Sequence, residues 1–428
     1  MKSMERFAAL LCGLLLAACA WAQLPAAKPE QVGMSSQKLA RIGEALKKEV
    51  ADGSFRGAVA MVARKGKLVY TEAVGMQTAS VKMTPEAIFR IYSMSKPLVS
   101  VAAMMLVEDG VIQLTDPVGK FLPGFDKMQV SVPLKEGGGF ATVSQDRAMT
   151  VHDLLRHTSG LAYGEITQNL PVKEGMEKAG IYRRDLDFDG RALTPDEQVA
   201  NVAKVPLAYQ PGTTWNYSIS SDILGRVVEK ASGKRLGDFL EERLFKPLNM
   251  KDSAFWVPAA KMSLLAESLE KDRFAGRPFP LIDVSRQPGN DSGGAGAVST
   301  AADYLRFCQM MMNGGVLEGK RVLSRTTVRL MTSDHLGGAM ALPMDPGLLL
   351  LGTKGYGFGL GFSVRLAEGV AGVPGTTGEF MWAGYGGTYF WVDPVEQVTG
   401  VLMTQAASPM RAYFRKMIKQ LTYQAITD

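Results

Sequence analysis

Apolar residues recur at two different periods along this chain, and the changes of period outline its architecture. Between residues 36 and 50, Leu39, Ile42, Leu46 and Val50 fall three or four apart, which predicts a helix with one buried face, capped by Ser36. Residues 24–34, containing Pro and Gln, read as extended. Residues 59–63 and 67–72 have strand composition and predict a hairpin turning at 64–66. Helical periods then dominate at 99–107, 152–155, 221–231 and 301–312, with loops predicted at 135–140 and 287–296. Strand patterns return at 357–366, 388–392 and 398–404, and 412–426 reads as a last amphipathic helix. Strands at both ends with helices between predict an α+β chain: an antiparallel sheet flanked by helices, from 23–92 and 313–428, with a mainly helical domain inserted at 93–312.

Composition narrows the function classes. With 428 residues, 46% of them hydrophobic and 21% charged, the chain has material for one large or two to three interlocked domains at roughly 100–200 residues each. The formal charge of +6 is spread without a Lys/Arg block, so no nucleic-acid partner is expected. Lys2 and Arg6, an apolar run at 7–18 and the A-x-A of Ala20-Trp21-Ala22 read as a signal peptide over residues 1–22, giving an exported protein, periplasmic or secreted. Leu16-Ala17-Ala18-Cys19 also matches a lipoprotein box, so a lipid anchor at Cys19 is the alternative. No later stretch reaches 18 consecutive apolar residues, and no integral membrane segment is expected. Removal of the leader takes Cys12 and Cys19 with it and leaves Cys308 without a partner for an internal disulfide.

Candidate chemistry begins at Ser93-Met94-Ser95-Lys96. Residues three apart at a helix start share a face, so the amine of Lys96 can reach the hydroxyl of Ser93, a nucleophile beside a base. Pro97 fits a first turn, and Gly110 is placed to end the helix. Spacing alone is weak, because Ser35-Ser36-Gln37-Lys38 repeats it at the start of a surface helix. Ser93 differs in preceding an apolar helix that must be buried.

Three further segments turn the motif into a family resemblance. The run 89–110, then Thr150-Val151-His152-Asp153-Leu154-Leu155-Arg156-His157-Thr158-Ser159-Gly160-Leu161, then 215–233 and Trp382-Ala383-Gly384 with the strand that follows, resemble in order the serine beta-lactamase-related hydrolases. The likeness is greatest to the carboxylesterase branch, similar to family VIII esterases, which shares the class C beta-lactamase fold. It implies a beta-lactamase/transpeptidase-like fold, Ser93 as the acylated nucleophile, Lys96 as its partner and Tyr217 as the proton relay. It further implies an oxyanion hole from the backbone N–H groups of Ser93 and Tyr385, with Trp382, Ala383 and Gly384 lining the substrate site. No metal and no organic cofactor are implied.

The departures set the substrate class. Ile219 stands where the Y-x-N motif has Asn, and Trp382 where lactamases have the Lys of K-T-G, so polar recognition of beta-lactams is lost and an apolar wall suited to an ester remains. The rival H-x-G at His335-Leu336-Gly337 lacks a flanking strand. His152, His157 and His335 form no H-E-x-x-H zinc motif, no G-x-S-x-G elbow is present, and Asp222 is assigned no catalytic part. The expectation is an exported serine hydrolase that cleaves short-chain carboxylic esters through an acyl-enzyme. The alternatives are a beta-lactamase or D-amino-acid peptidase acting on an amide, and a non-catalytic penicillin-binding-like sensor.

Overall fold

A computed structural model describes residues 24–134, 138–181, 190–338 and 340–428. The leader expected at 1–22, with Cys19, lies outside the described residues. One seven-stranded sheet organises the molecule, in the order Lys67–Gly75, Gly57–Arg64, Val398–Thr404, Tyr389–Asp393, Phe380–Ala383, Ser363–Arg365, Tyr356–Phe358. Every neighbouring pair is antiparallel, and the two ends of the chain meet where Gly57–Arg64 pairs with Val398–Thr404. The early hairpin turns through Lys65 and Gly66, with φ of 50° and 74°, the left-handed pair that a two-residue turn needs to match strand twist.

Helices cover both faces of this sheet, because all eight residues of Gly57–Arg64 are buried although alternate side chains point to opposite sides. Helices Ser36–Ala51 and Arg411–Tyr423 pack on one another and on the sheet. Helix Ala301–Met312, which the expected division grouped with the helical part, also packs on the sheet, with the Tyr304 ring 5.0 Å from that of Phe390. The remaining helical region centres on Ser95–Glu108, buried at every residue from Ser95 to Leu106 and packed on helices Ser220–Ser232 and Leu236–Leu240. A helix apolar on all sides can only be stable when surrounded in this way. Among the described residues, no helix is long and apolar enough to cross a membrane.

Several boundaries differ from the sequence reading for local reasons. Ser35, not Ser36, caps the first helix, its Oγ accepting from Lys38 N at 3.2 Å, which accounts for the second S-x-x-K. The stretch 24–34 is not uniformly extended, since Pro29–Val32 forms a 3-10 turn. The single strand expected at 357–366 is two, because Gly361 at φ 92° lets the chain reverse and Gly359 N bonds Phe362 O. A hairpin of Gln129–Pro133 and Phe140–Ser144 flanks the expected loop, whose residues 135–137 are outside the described set.

Candidate active site

Ser93 sits in a 3-10 turn, Tyr92–Met94, immediately before helix Ser95–Glu108. The turn is strained: Tyr92, a buried non-glycine residue, has φ of 44°. Several contacts from distant sequence hold it there. Ser95 Oγ donates to Tyr92 O at 2.6 Å, Tyr304 OH donates to Met94 O at 2.9 Å, and Gln405 brackets the Arg90 backbone, accepting from its N and donating to its O. Gly384 approaches from the neighbouring strand so closely that a Cβ there would lie 2.3 Å from Ile91 O. The sheet end and the Ser93 turn are therefore in backbone contact.

Lys96, only 1% exposed, points its amine at three acceptors: Ser93 Oγ at 3.2 Å, Tyr163 OH at 2.9 Å and Gly294 O at 2.7 Å. Tyr217 OH is 2.6 Å from Ser93 Oγ, and Lys96 Nζ lies 4.7 Å from the centre of the Tyr217 ring. Three acceptors around the amine fix its direction in a buried setting. Burial first, then the neighbouring Tyr217 and Asp222, hold the Tyr163 hydroxyl well above the ordinary tyrosine range, so it stays neutral and its oxygen can accept from Lys96.

Tyr217 precedes helix Ser220–Ser232 in a segment tied down at each step: Trp215 N donates to Ala341 O, Asn216 N to His157 O and Asn216 Nδ2 to Leu161 O. His157, fully buried and at φ 57°, lies 5.2 Å ring to ring from Tyr217 and 3.2 Å from Ser218 Oγ. Burial and then the Lys96 charge push its imidazole well below the usual histidine range, so it is a neutral hydrogen-bonding group. Asp222 anchors the opposite side: its Oδ1 accepts from Ser292 Oγ at 2.6 Å and Gly294 N at 3.2 Å, fixing the loop whose Gly294 carbonyl faces Lys96.

Ser93 opens onto a cleft of roughly 390 Å³. Of the residues expected there, Tyr217, Trp382, Ala383, Gly384 and Tyr385 line it, and Ile219 does not. Ile219 is the N-cap of helix Ser220–Ser232 and lines a much smaller adjoining cavity with Tyr163 and Asp222. Glu165 borders both spaces. The apolar wall comes instead from Trp382 with Ile166, Leu349 and Leu350, and three arginines, Arg277, Arg411 and Arg415, complete the lining. His335 lies elsewhere, 2.9 Å from His152, so the rival H-x-G is not at this site. Among the described residues, no group of three or more His, Cys, Asp or Glu could hold a metal ion.

Sequence reasoning missed Tyr163, Gly294 and the arginines. Tyr163 follows the 150–161 motif by two residues, and Gly294 falls in the predicted 287–296 loop, so both had a positional signal. Arg411 and Arg415, four apart on the last helix, carried only the signal that two cations share a helical face. Chemically, the constellation offers a hydroxyl nucleophile with two groups able to take and return its proton, on a cleft with an apolar wall and three arginines.

A family model described as Beta-lactamase matches residues 42–422 of this chain. An uncharacterized protein of Mycobacterium tuberculosis (strain CDC 1551 / Oshkosh) is 35% identical over 359 residues, 81% of this chain and 85% of the relative. Esterase EstB of Burkholderia gladioli is 28% identical over 405 residues, 86% and 90% of the two chains. Among solved structures, EstCE1, a hydrolase with promiscuous acyltransferase activity, superposes with a TM-score of 0.73 at 24% identity, covering 90% of this chain and 99% of the other. The unliganded selenomethionyl derivative of Simvastatin Synthase (LovD) from Aspergillus terreus gives 0.74 at 21%, covering 91% and 98%. These two likenesses concern the fold.

Proposed function

The chain belongs to the beta-lactamase family, and from that premise we propose that it hydrolyses carboxylic esters through an acyl-enzyme on Ser93. The observation that carries this reading is the placement of Ser93 Oγ between Lys96 Nζ and Tyr217 OH, at 3.2 and 2.6 Å, on a cleft walled by Trp382, Leu349 and Leu350. Its similarity to Esterase EstB supports the same choice of substrate.

In this mechanism Ser93 Oγ attacks the ester carbonyl while its proton passes to the Tyr217–Lys96 pair. The carbonyl oxygen becomes an oxyanion held by the backbone N–H groups of Ser93 and Tyr385, an arrangement in which each donor is typically worth ~10²–10³ in rate. Collapse breaks the C–O bond, the pair returns the proton to the departing alcohol, and a water molecule deprotonated by the same pair releases the acid and restores Ser93. The cleft, of roughly 390 Å³, suits short acyl chains. The basic start, apolar run and A-x-A site support export to the periplasm or medium, with anchoring through a lipid on Cys19 as the alternative.

The test is a comparison of the chain from Gln23 with its Ser93→Ala variant on p-nitrophenyl butyrate and a chromogenic cephalosporin. Ester cleavage that disappears in the variant, with little cephalosporin turnover, is the expected result. A reversed preference would make the protein a beta-lactamase. Ser93 labelling without turnover would make it a sensor.

A further inference from the structure

The last helix places two cations beside the Trp382-Ala383-Gly384 strand, Arg415 buried and Arg411 half-buried, and both bond to backbone rather than to acids. Arg415, 5% exposed, donates from Nη2 to Gly384 O and from Nη1 to Leu350 O, each at 2.9 Å. Arg411 donates from Nη1 to Tyr385 O at 2.9 Å and stacks its guanidinium 4.6 Å from the Tyr385 ring centre. Neither makes an ion pair among the described residues. A buried cation without a counter-ion is costly to maintain, so the carbonyls it grips need an account.

The two carbonyls belong to the peptide groups on either side of Tyr385. No peptide bond of the described residues is cis, so the Gly384 carbonyl and the Tyr385 N–H point in opposite directions from one plane. Gripping that carbonyl from the helix side turns the N–H toward the Ser93 side, where Gly384 already touches the backbone of Ile91. A cation on the carbonyl oxygen also draws electron density through the amide, which makes the attached N–H a stronger donor. We propose that Arg415, assisted by Arg411, is a positioning residue that aims and polarises the Tyr385 amide toward the oxyanion formed on the substrate carbonyl. The proposal rests on the acyl-enzyme reading of Ser93.

A competing role, direct capture of an anionic group on the substrate, fits Arg415 poorly. Although Arg415 borders the cleft, its Nη1 and Nη2 each donate to a backbone oxygen, of Leu350 and of Gly384. The two roles predict different kinetics. A substrate ligand sets KM for anionic esters, whereas a residue acting on the oxyanion donor sets kcat for every ester.

The experiment forms an acyl-enzyme on Ser93 with a ¹³C-carbonyl ester in the parent, Arg415→Lys, Arg415→Met and Arg411→Met proteins. It reads the ester carbonyl stretch by isotope-edited infrared difference spectroscopy, alongside kcat and KM on neutral and anionic p-nitrophenyl esters. The expected result is a stretch at higher wavenumber in Arg415→Met, an intermediate one in Arg415→Lys, and kcat down ~10-fold with KM within about twofold, since full removal of a donor costs ~10²–10³. Should Arg415→Met fail to fold, Arg411→Met gives the same readout through the neighbouring carbonyl, with a smaller shift in the same direction. An unmoved stretch, or a loss confined to KM for anionic esters, overturns the proposal. Failure of the parent to form any Ser93 adduct, seen by mass spectrometry, would instead overturn the ester reading and this inference with it.

Discussion

Tyr163 and Tyr217 are the same phenol in two settings, and the settings assign them different work. Tyr163 is buried and kept neutral, with its oxygen accepting from the Lys96 amine, whereas Tyr217 lies on the cleft with its oxygen 2.6 Å from Ser93 Oγ. Tyr217→Phe should therefore lower kcat by ~10²–10⁴, the usual range for loss of a proton-transfer group, and Tyr163→Phe by roughly tenfold or less. Single-turnover acylation rates would show this, and equal losses would remove the distinction. Asp222 acts one step further out, through Ser292 and Gly294 on the Lys96 amine. The sequence made Ser93, Lys96 and Tyr217 legible because their spacing and neighbouring motifs are local. Tyr163, Gly294 and the role of Asp222 were not, since each depends on which distant loop folds over the Lys96 amine. Ile219 was misplaced for a related reason: as an N-cap it turns into the adjoining cavity, although it is only two residues from Tyr217.

Among the elements, the strand ending at Ala383 and the last helix decide how precisely the site is built. Gly384 has no room for a side chain, since a Cβ would lie 2.2 Å from Thr388 Oγ1 and 2.3 Å from Ile91 O. Gly384→Ala should push the strand away from the Ser93 turn and reduce kcat by at least ~10², because a misplacement of about 1 Å costs that much. Retention of near-parent turnover would refute the close approach as a requirement. The last helix is held to the same sheet by a buried ion pair between Lys419 and Glu379, with Tyr356 OH donating to Glu379 Oε1 at 3.2 Å. Removing one partner strands the other charge in the interior, so Glu379→Ala should destabilise the protein by about 3–5 kcal/mol. Urea denaturation would measure it, and a change under about 1 kcal/mol would mean that Lys419 finds another acceptor. Sequence periodicity found this helix to within a few residues, but its apolar stripe does not reveal that Arg415 and Lys419 face inward, because long cationic side chains ordinarily extend to water.

Across the whole molecule, distant segments are joined by contacts between residues far apart in sequence, and one of these bears on how stability depends on pH. His152 on helix Val151–Leu155 lies with Nε2 2.9 Å from Nδ1 of His335, 183 residues away. His335 Nε2 is 2.8 Å from Leu330 O, which can only accept, so Nε2 carries the proton and Nδ1 accepts from His152. Arg156 and Arg147 lie near His152 and Asp153 opposes them, yet burial first, then Arg156 and His335, pull His152 from 6.5 down to about 4. A base whose folded value is depressed binds its proton more readily when unfolded. The stability it contributes is complete above about pH 6.5 and is lost as the pH falls toward about 4. Buried His157 adds to the trend, while Asp303, raised by burial to about 6, works against it between its ordinary 3.8 and that value. A comparison of parent with His152→Asn isolates the histidine from these others. The parent should lose more unfolding free energy than the variant between pH 7 and pH 5, and equal losses would show that the pair does not control acid stability. That the sheet is assembled from both chain ends was readable in the order of strands and helices. A bond between positions 152 and 335 was not, because nothing local to either histidine names a partner that only the closed fold supplies.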